Sequence, residues 1–264
     1  MCLVAFSLQR DASLPFVLIS NRDEFFQRPS KPAHDWGNGV YGGKDLEKGG
    51  SWLLVSAKNK VSFVTNYRNL RLPKVEDPIS RGQLVKDFVL GDFSPKEYLQ
   101  KIESQKTRLE GCNLFLSDGV YSILYNPKAP NSLHLKDGIY AVSNGVLLEE
   151  WPKTKYIRNS LTTFLQTHKQ ELKEKSSKAL EHSEELFRIL KNRNIASESE
   201  LPDTGIGKDR EKYLSSAFIQ LPGYGTRCST IFWKRQDGSF FLKERSFQED
   251  GSISGEVELK SGDL

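Results

Sequence analysis

The chain has 264 residues, of which 37% are hydrophobic and 27% are charged, and its formal net charge is +4. These values are ordinary for a globular protein with a substantial core, in one large domain or two small ones. Acidic and basic residues are intermixed, which argues against a nucleic-acid partner but suits small anionic ligands. No stretch reaches the roughly 18 apolar residues of a membrane-spanning helix, and no Lys or Arg precedes the apolar run after Met1. We therefore expect neither a transmembrane segment nor a signal peptide.

The first half of the chain predicts four strands followed by two helices. Apolar runs bounded by turn residues give strands over residues 2–8, 16–21, 51–57 and 61–67, and helices over 80–90 and 94–105. Ser80 is the expected N-cap of the first helix. In the second helix, Ser94 is the expected N-cap, Pro95 takes the first helical position, and Glu97 completes a capping box.

Residues 37–42 read GNGVYG, which matches the dinucleotide-binding pattern G-x-G-x-x-G. A dinucleotide site needs a strand before these glycines and a helix after them, so that the pyrophosphate lies at the helix N-terminus. The sequence predicts neither element here. We interpret these glycines as part of a loop.

The second half of the chain predicts four short strands, a helix, a charged segment and a hairpin. The strands cover residues 113–118, 121–126, 132–136 and 138–144, the helix covers 152–168, and the hairpin joins 225–235 to 240–247. The charged residues 169–185 predict a solvated helix or a flexible insertion. Strands and helices come in groups rather than in βαβ alternation, which favours an α+β class with large antiparallel sheets. We find no repeat and no linker, and we predict a single domain over residues 1–264.

The cysteines and histidines are scattered. Cys2, Cys112 and Cys228 have no C-x-x-C spacing, which indicates a reducing compartment and a cytoplasmic location rather than a disulfide framework. The four histidines (His34, His134, His168 and His182) have no metal-ligand spacing among themselves or with the cysteines. We therefore expect no metal site, and we expect His168 to pack on the face of its helix.

Cys2 follows the initiator methionine directly. Removal of Met1 would leave a thiol and an α-amine on one residue. An α-amine has a pKa of about 8, so it can take the proton of the thiol, and a nucleophile with such a base is one design for amide hydrolysis. The alternative is that Cys2 is a small apolar residue in a buried first strand.

Polar residues also stand at the ends of several predicted strands. The second strand ends in NRDE at residues 21–24, and Asn66, Asn144 and Arg227 lie at the ends of other strands. Each observation has a structural alternative. Asparagines often form turns, and the charged residues of NRDE can form an ion-pair cluster at the surface.

Together these stretches resemble a known family. The motifs MC, NRDE, GGKD, GGSWL, TNYR, SRG, VSNG, WPK and YGTRCST are similar to those of the NRDE family, also called the transport and Golgi organisation 2 family, from Met1 to about Phe232. The resemblance implies an N-terminal-nucleophile hydrolase-like fold. This fold is an αββα sandwich, in which two stacked antiparallel sheets lie between helix layers.

Similarity to the cysteine branch of that superfamily, which includes bile-salt hydrolases and penicillin V acylases, implies roles for single residues. Cys2 becomes the nucleophile, and Asn66 and Asn144 support the oxyanion hole and the amine. Arg227 falls on the arginine beside the thiol, where a cation lowers the pKa of a thiol.

The NRDE motif departs from the pattern of that branch. The branch carries Arg-x-x-Asp at the end of its second strand, whereas Arg22 and Asp23 are adjacent here. The acid that binds the α-amine is therefore Asp23 or Glu24. Successive strand residues face opposite sides of a sheet, so only one of these two carboxylates lines the site.

The resemblance leaves two functions open. The first is a cysteine amidohydrolase that acts on a linear C–N amide bond after removal of Met1, with a small amide or acyl ligand and no cofactor. The alternative is a non-catalytic haem-trafficking or acyl-coenzyme A-binding protein that uses the same pocket. For haem, Cys2 or His34 is the candidate axial ligand, and the aromatic residues between positions 24 and 41 are candidates for the pocket wall. A scaffold role for the basic region 153–193 has no specific support.

Overall fold

The computed structural model describes residues 2–9, 13–129, 132–147, 149–168, 171–172 and 179–261. The chain divides into two compact units. The first unit comprises Met1–Gln27, Asp137–Val142 and Leu147–Leu264, and the second comprises Arg28–Lys136 and Ser143–Val146. The single domain over residues 1–264 stays a prediction.

The described residues form fourteen strands and five α-helices. The strands are β1 (Cys2–Leu8), β2 (Phe16–Phe25), β3 (Ser30–Asp35), β4 (Val40–Asp45), β5 (Leu53–Ser56), β6 (Val61–Asn66), β7 (Cys112–Ser117), β8 (Ser122–Tyr125), β9 (Leu133–His134), β10 (Gly138–Val142), β11 (Gln220–Leu221), β12 (Tyr224–Lys234), β13 (Phe240–Phe247) and β14 (Ile253–Ser261). The helices are α1 (Arg81–Leu90), α2 (Pro95–Glu103), α3 (Pro152–Thr167), α4 (Ala179–Leu190) and α5 (Lys208–Tyr213). Short 3-10 helices cover Lys106–Arg108 and Glu198–Glu200.

The first unit is built on an antiparallel sheet in the order β10-β1-β2-β12-β13-β14, with β11 paired to β12. Side chains alternate between the two faces of a strand. Leu3, Ile19 and Ile231 point to one face, where they form a core with Leu161 of α3 and Leu186 of α4. Residues on the opposite face are buried as well, among them Val4, Phe6, Leu18 and Phe232. The strands that carry NRDE and Cys2 are therefore apolar on both sides, and polar groups gather at their ends.

The second unit is built on an antiparallel sheet in the order β3-β4-β5-β6-β7-β8-β9. Helices α1 and α2 cover one face of it, where Phe88 and Tyr98 join Leu54, Val64 and Leu114 in one core. The Tyr98 hydroxyl donates to the Leu84 carbonyl at 2.9 Å, which ties α2 to α1.

The motifs GGSWL and SRG hold α1 against the sheet of the second unit. The Ser51 amide donates to the Gly82 carbonyl at 3.0 Å. A Cβ added at Gly50 would lie 2.3 Å from the Gly82 carbonyl carbon, so a side chain at Gly50 cannot fit. The two backbones approach so closely here that only glycine fits. The glycines of GGSWL and SRG therefore have a structural role, and no catalytic role is needed to explain them.

The structure confirms the predicted α+β class, with two antiparallel sheets that each carry helices. The predicted loop over residues 37–42 is wrong in part, because Gly42 lies within β4 and only residues 37–39 form the turn before it. Strands β3, β4, β11 and β14 and helix α5 have no counterpart in the prediction. Of the charged segment 169–185, residues 169–170 and 173–178 lie outside the described residues. In the described part of the chain, no helix is long and apolar enough to cross a membrane.

Candidate active site

In the first unit, Cys2 lies at the end of the sheet where the NRDE motif ends β2. The Cα partner of Cys2 on β2 is Arg22, and the partner of Arg22 on β12 is Cys228. Directly paired residues of antiparallel strands place their side chains on one face. Cys2, Arg22 and Cys228 therefore form a row of side chains on one face of the sheet, with Arg22 on the strand between the two cysteines.

Burial dominates the electrostatics of this row. It raises the pKa of the Cys2 thiol above its ordinary value, and the nearby Arg22 charge opposes this rise. Burial and the Glu244 carboxylate raise the pKa of Cys228 further. The expected lowering of the thiol pKa by a cation is present, but desolvation outweighs it. Burial at this position therefore favours the neutral form of the Cys2 thiol.

The two candidate acids of the NRDE motif have different surroundings. Asp23 is 1% exposed, and its Oδ1 accepts a hydrogen bond of 2.7 Å from the Thr226 hydroxyl. Burial raises the pKa of Asp23, and the charge of Lys153 at the start of α3 opposes the rise. Glu24 is half-buried, and its Oε1 accepts from the Phe25 amide at 2.9 Å. Strand alternation gives Glu24 the sheet face of Arg22 and gives Asp23 the opposite face.

Arg227 lies at a β-bulge of β12, between Thr226 and Cys228. Its Nη1 donates to the Phe25 carbonyl at 2.8 Å, and its guanidinium stacks 5.0 Å from the centre of the Phe26 ring. The residue paired with Cys2 is Arg22, whereas the resemblance assigned the arginine beside the thiol to Arg227. A bulge adds one residue to a strand and re-aims a side chain, and the sequence gives no sign of it.

Asn21, the first residue of the NRDE motif, holds the fold together. It is 0% exposed, and its Nδ2 donates to the carbonyls of Leu190 and Ala217 at 2.9 and 2.8 Å. Its Oδ1 accepts from the Ser229 hydroxyl at 2.6 Å. One amide thus fastens β2 to the end of α4 and to the segment before β11.

In the second unit, the side chain of one predicted asparagine, Asn144, is hydrogen-bonded to the backbone of the other, Asn66. Nδ2 of Asn144 donates to the Asn66 carbonyl at 2.9 Å, and Oδ1 of Asn144 accepts from the Ser143 hydroxyl at 3.2 Å. The Asn144 carbonyl accepts from the Arg68 amide at 2.8 Å. Asn144 is fully buried and holds the end of β6, whereas the half-buried Asn66 side chain forms no hydrogen bond with any residue that the structure describes.

Sequence reasoning missed Asn113, the centre of a buried hydrogen-bond network in the second unit. Its Nδ2 lies within hydrogen-bond distance of Thr65 Oγ1 and of the carbonyls of Ser143 and Gly145, at 3.0, 3.1 and 2.9 Å. Its Oδ1 accepts from Asn126 Nδ2 at 3.0 Å. The signal available in the sequence was an asparagine inside an apolar strand, NLFLS, where a buried amide needs partners.

Two further features bear on ligand binding. His34 of the second unit stacks on Trp36 with ring centres 5.6 Å apart, and its Nδ1 lies 2.8 Å from the Pro32 carbonyl oxygen. A cavity of about 200 Å³ in the first unit is lined by residues that include Leu14, Val17 and Leu165. None of the predicted site residues lines this cavity.

Comparison with known proteins gives consistent relatives in sequence. The family model described as Transport and Golgi organisation 2 matches residues 1–249. The Transport and Golgi organization protein 2 homolog of Homo sapiens is 30% identical over 271 residues, which cover 94% of each chain. The homolog of Bos taurus is 30% identical over 268 residues, which cover 93% of each chain.

Comparison with solved structures gives more distant neighbours. A mutant conjugated bile acid hydrolase from Clostridium perfringens aligns with a TM-score of 0.48 and 9% identity, over 98% of this chain and 92% of that one. An N-acylethanolamine-hydrolyzing acid amidase ortholog from Caenorhabditis elegans aligns with a TM-score of 0.35 and 9% identity, over 87% and 92%. Because both likenesses are low, the assignment of this chain rests on its sequence relatives.

Proposed function

The chain belongs to the Transport and Golgi organisation 2 family, and we propose that it is a cysteine amidohydrolase. After removal of Met1, the thiol of Cys2 attacks the carbonyl carbon of a linear amide, and its own α-amine takes the thiol proton. The α-amine then gives this proton to the nitrogen of the substrate, which leaves as an amine, and water hydrolyses the thioester to release the acid and restore the thiol. Met1 lies outside the described residues. The observation that carries the proposal is the pairing of Cys2 with Arg22 at the end of the sheet.

A neutral Cys2 thiol suits this mechanism. A thiol that loses its proton to an adjacent base during attack does not need a low pKa of its own. Arg22 then stabilises the negative charge that develops on sulfur, because a cation beside a buried anion acts in a medium of low dielectric constant. Asp23 or Glu24 is the proposed partner of the α-amine.

Asn66 and Asn144 are the proposed residues of the oxyanion hole. The Asn66 side-chain amide is available to a ligand, since it forms no hydrogen bond with any described residue. Asn144 acts by holding the backbone of Asn66. One donor at a developing oxyanion is worth roughly 3 kcal/mol, so loss of the Asn66 amide should have a measurable effect on turnover, and loss of Asn144 should act through the position of Asn66.

The test is a screen of N-acyl amides and acyl thioesters with the purified protein, with Cys2→Ala as the inactive variant. Cys228→Ala is the matched control, because Cys228 is a buried cysteine in the same row. We expect turnover that is lost in Cys2→Ala and kept in Cys228→Ala. Equal turnover in all three proteins would contradict the proposal.

The alternative function, a non-catalytic carrier of haem or of an acyl thioester, has one observation in its favour. Phe25, which follows the NRDE motif on β2, is 61% exposed and packs edge-on against Tyr224 with ring centres 5.1 Å apart. Contiguous exposed apolar surface is typical of ligand-binding sites. Saturable binding of haem or acyl-coenzyme A without turnover of any amide would favour the carrier.

The proposed location is the cytoplasm. None of the three cysteines, all within the described part of the chain, forms a disulfide. Unlinked cysteines are typical of reducing compartments. Microscopy of the tagged chain with fractionation checks this part of the proposal.

A further inference from the structure

A cluster of two histidines and a glutamate lies between α3 and α4 of the first unit. His168 follows the last residue of α3, Glu171 comes three residues later, and His182 lies on the first half of α4. One ligand atom from each of the three residues lies within 4.8 Å of the others. The sequence spacing gave no metal motif, because His168 at the end of α3 and His182 on α4 are brought together only by the packing of the helices.

The spacing of the ligand atoms is compatible with a shared metal ion. Oε2 of Glu171 lies 2.9 Å from Nε2 of His182 and 3.4 Å from Nδ1 of His168. Four ligands at about 2.0–2.1 Å around a tetrahedral zinc ion lie about 3.4 Å from one another. The carboxylate oxygen is therefore already near the positions that a shared ion requires.

A second observation points to a ligand at Nδ1 of His168. Its other ring nitrogen, Nε2, lies 2.9 Å from Oε2 of Glu185. A histidine that binds a metal with one ring nitrogen commonly donates the other N–H to a carboxylate, which fixes the ring and strengthens the ligand. The ring of Phe164 packs against both histidines, with ring centres 4.8 and 5.9 Å away, and so limits their rotation.

We propose that His168, Glu171 and His182 bind a divalent transition-metal ion of the zinc class, with Glu185 as the partner of His168. Two imidazole nitrogens and one carboxylate oxygen suit zinc, copper, nickel or cobalt rather than magnesium or calcium. Glu171 lies on the solvent side of the cluster, since its side chain is 40% exposed, whereas that of His182 is 6% exposed.

The bound ion would join the end of α3 to α4. Asn21 is anchored to the carbonyl of Leu190, the last residue of α4. The site therefore stabilises the helix layer on which β2 is held, and it takes no part in the proposed chemistry of Cys2. Failure of either proposal leaves the other unaffected.

The test uses the full chain without a histidine tag, freed of metal by a chelator and titrated with zinc chloride in a calorimeter. We expect one zinc ion per chain, with at least tenfold weaker binding in His182→Ala. We expect 10- to 100-fold weaker binding in Glu185→Gln, since partners of a ligand histidine have effects of that size. His134→Ala is the control, because His134 is an exposed histidine of the second unit.

The visible absorption of cobalt(II) distinguishes metal binding by the cluster from a purely structural role of its side chains. Cobalt(II) bound by two nitrogens and an oxygen in a four-coordinate site gives strong visible absorption, which we expect in the wild-type chain and in His134→Ala but not in His182→Ala. Zinc should also raise the melting temperature of the wild-type chain, and magnesium should not. The absence of stoichiometric zinc binding, or equal binding in His182→Ala and His134→Ala, would overturn the proposal.

Discussion

At the scale of the residue, adjacent residues of the NRDE motif have different roles. Asn21 faces the helices and fastens them to the sheet, whereas Arg22 lies on the other face, in the row with Cys2. Strand alternation in the sequence predicts that such neighbours separate. It cannot predict the partners of Asn21, because they are backbone carbonyls 169 and 196 residues away. The hydrogen-bond network around Asn113 could not be predicted for the same reason, because spacing in the sequence does not reveal partners that are distant along the chain.

The two asparagines of the second unit should differ in their effect on stability. Asn144→Ala removes a buried donor from the Asn66 carbonyl, so it should lower the free energy of unfolding by roughly 1–3 kcal/mol. Asn66→Ala removes a half-buried side chain that bonds to no described residue and should change it by less than about 0.5 kcal/mol. Urea unfolding of both variants measures this. Equal losses would contradict a structural role for Asn144 and a ligand-binding role for Asn66.

The thiols should differ in their reaction with alkylating agents, and the rate should depend on pH. Only the thiolate reacts, and burial raises the pKa of Cys2 above its ordinary value of 9.0 and that of Cys112 to about 12. A raised pKa means less thiolate at pH 7, so the rate at Cys2 should be low there and still increase above pH 9. The rise is large at Cys112, so Cys112 should react more slowly than Cys2.

Peptide mass spectrometry after timed exposure to iodoacetamide resolves the three cysteines. A rate at Cys2 that levels off below pH 8 would indicate a thiolate at neutral pH. That result would contradict a neutral thiol at Cys2.

At the scale of the element, local signals predicted most helices and strands. The capping box of α2 is confirmed, since the Glu97 amide donates to the Ser94 hydroxyl oxygen and the Ser94 amide donates to the Glu97 carboxylate. Ser80 is the N-cap residue of α1 as predicted, but its side chain makes no capping hydrogen bond. The first turn of α1 is held instead by the hydrogen bond from the Ser51 amide to the Gly82 carbonyl. Helix propensity and capping patterns do not include such a long-range contact.

These two serines give a matched pair. Ser94→Ala should lower the free energy of unfolding by about 1 kcal/mol, the usual value of an N-cap. Ser80→Ala should leave it within about 0.5 kcal/mol. Guanidinium unfolding of both variants checks the difference, and a larger loss in Ser80→Ala would show that the first turn of α1 depends on its serine.

Strand β14 was missed for a physical reason. It lies at the edge of its sheet, most of its side chains are exposed, and charged residues replace the apolar alternation that marks a strand. Its partners are charges on β13: the Lys243 ammonium lies 2.8 Å from the Glu256 carboxylate. A pattern that detects buried faces does not find an edge strand of this kind.

At the scale of the whole molecule, the grouping of elements predicted the α+β class, and the order of motifs predicted the family. The sequence did not predict the row of Cys2, Arg22 and Cys228, because Cys228 reaches its partner only after a bulge. It also did not predict the cluster of His168, Glu171 and His182. Both sets depend on strand register or helix packing, which one sequence does not encode in its spacing.

The central claim is that Cys2 is an N-terminal nucleophile, and one measurement tests it most directly. The chain, purified from its native cell, is treated with a p-nitrophenyl ester and its mass is measured intact and after peptide mapping. We predict that Met1 is absent and that one acyl group is bound to Cys2, with none bound in Cys2→Ala. Retention of Met1, or an acyl group on another residue with Cys2 unmodified, would contradict the claim.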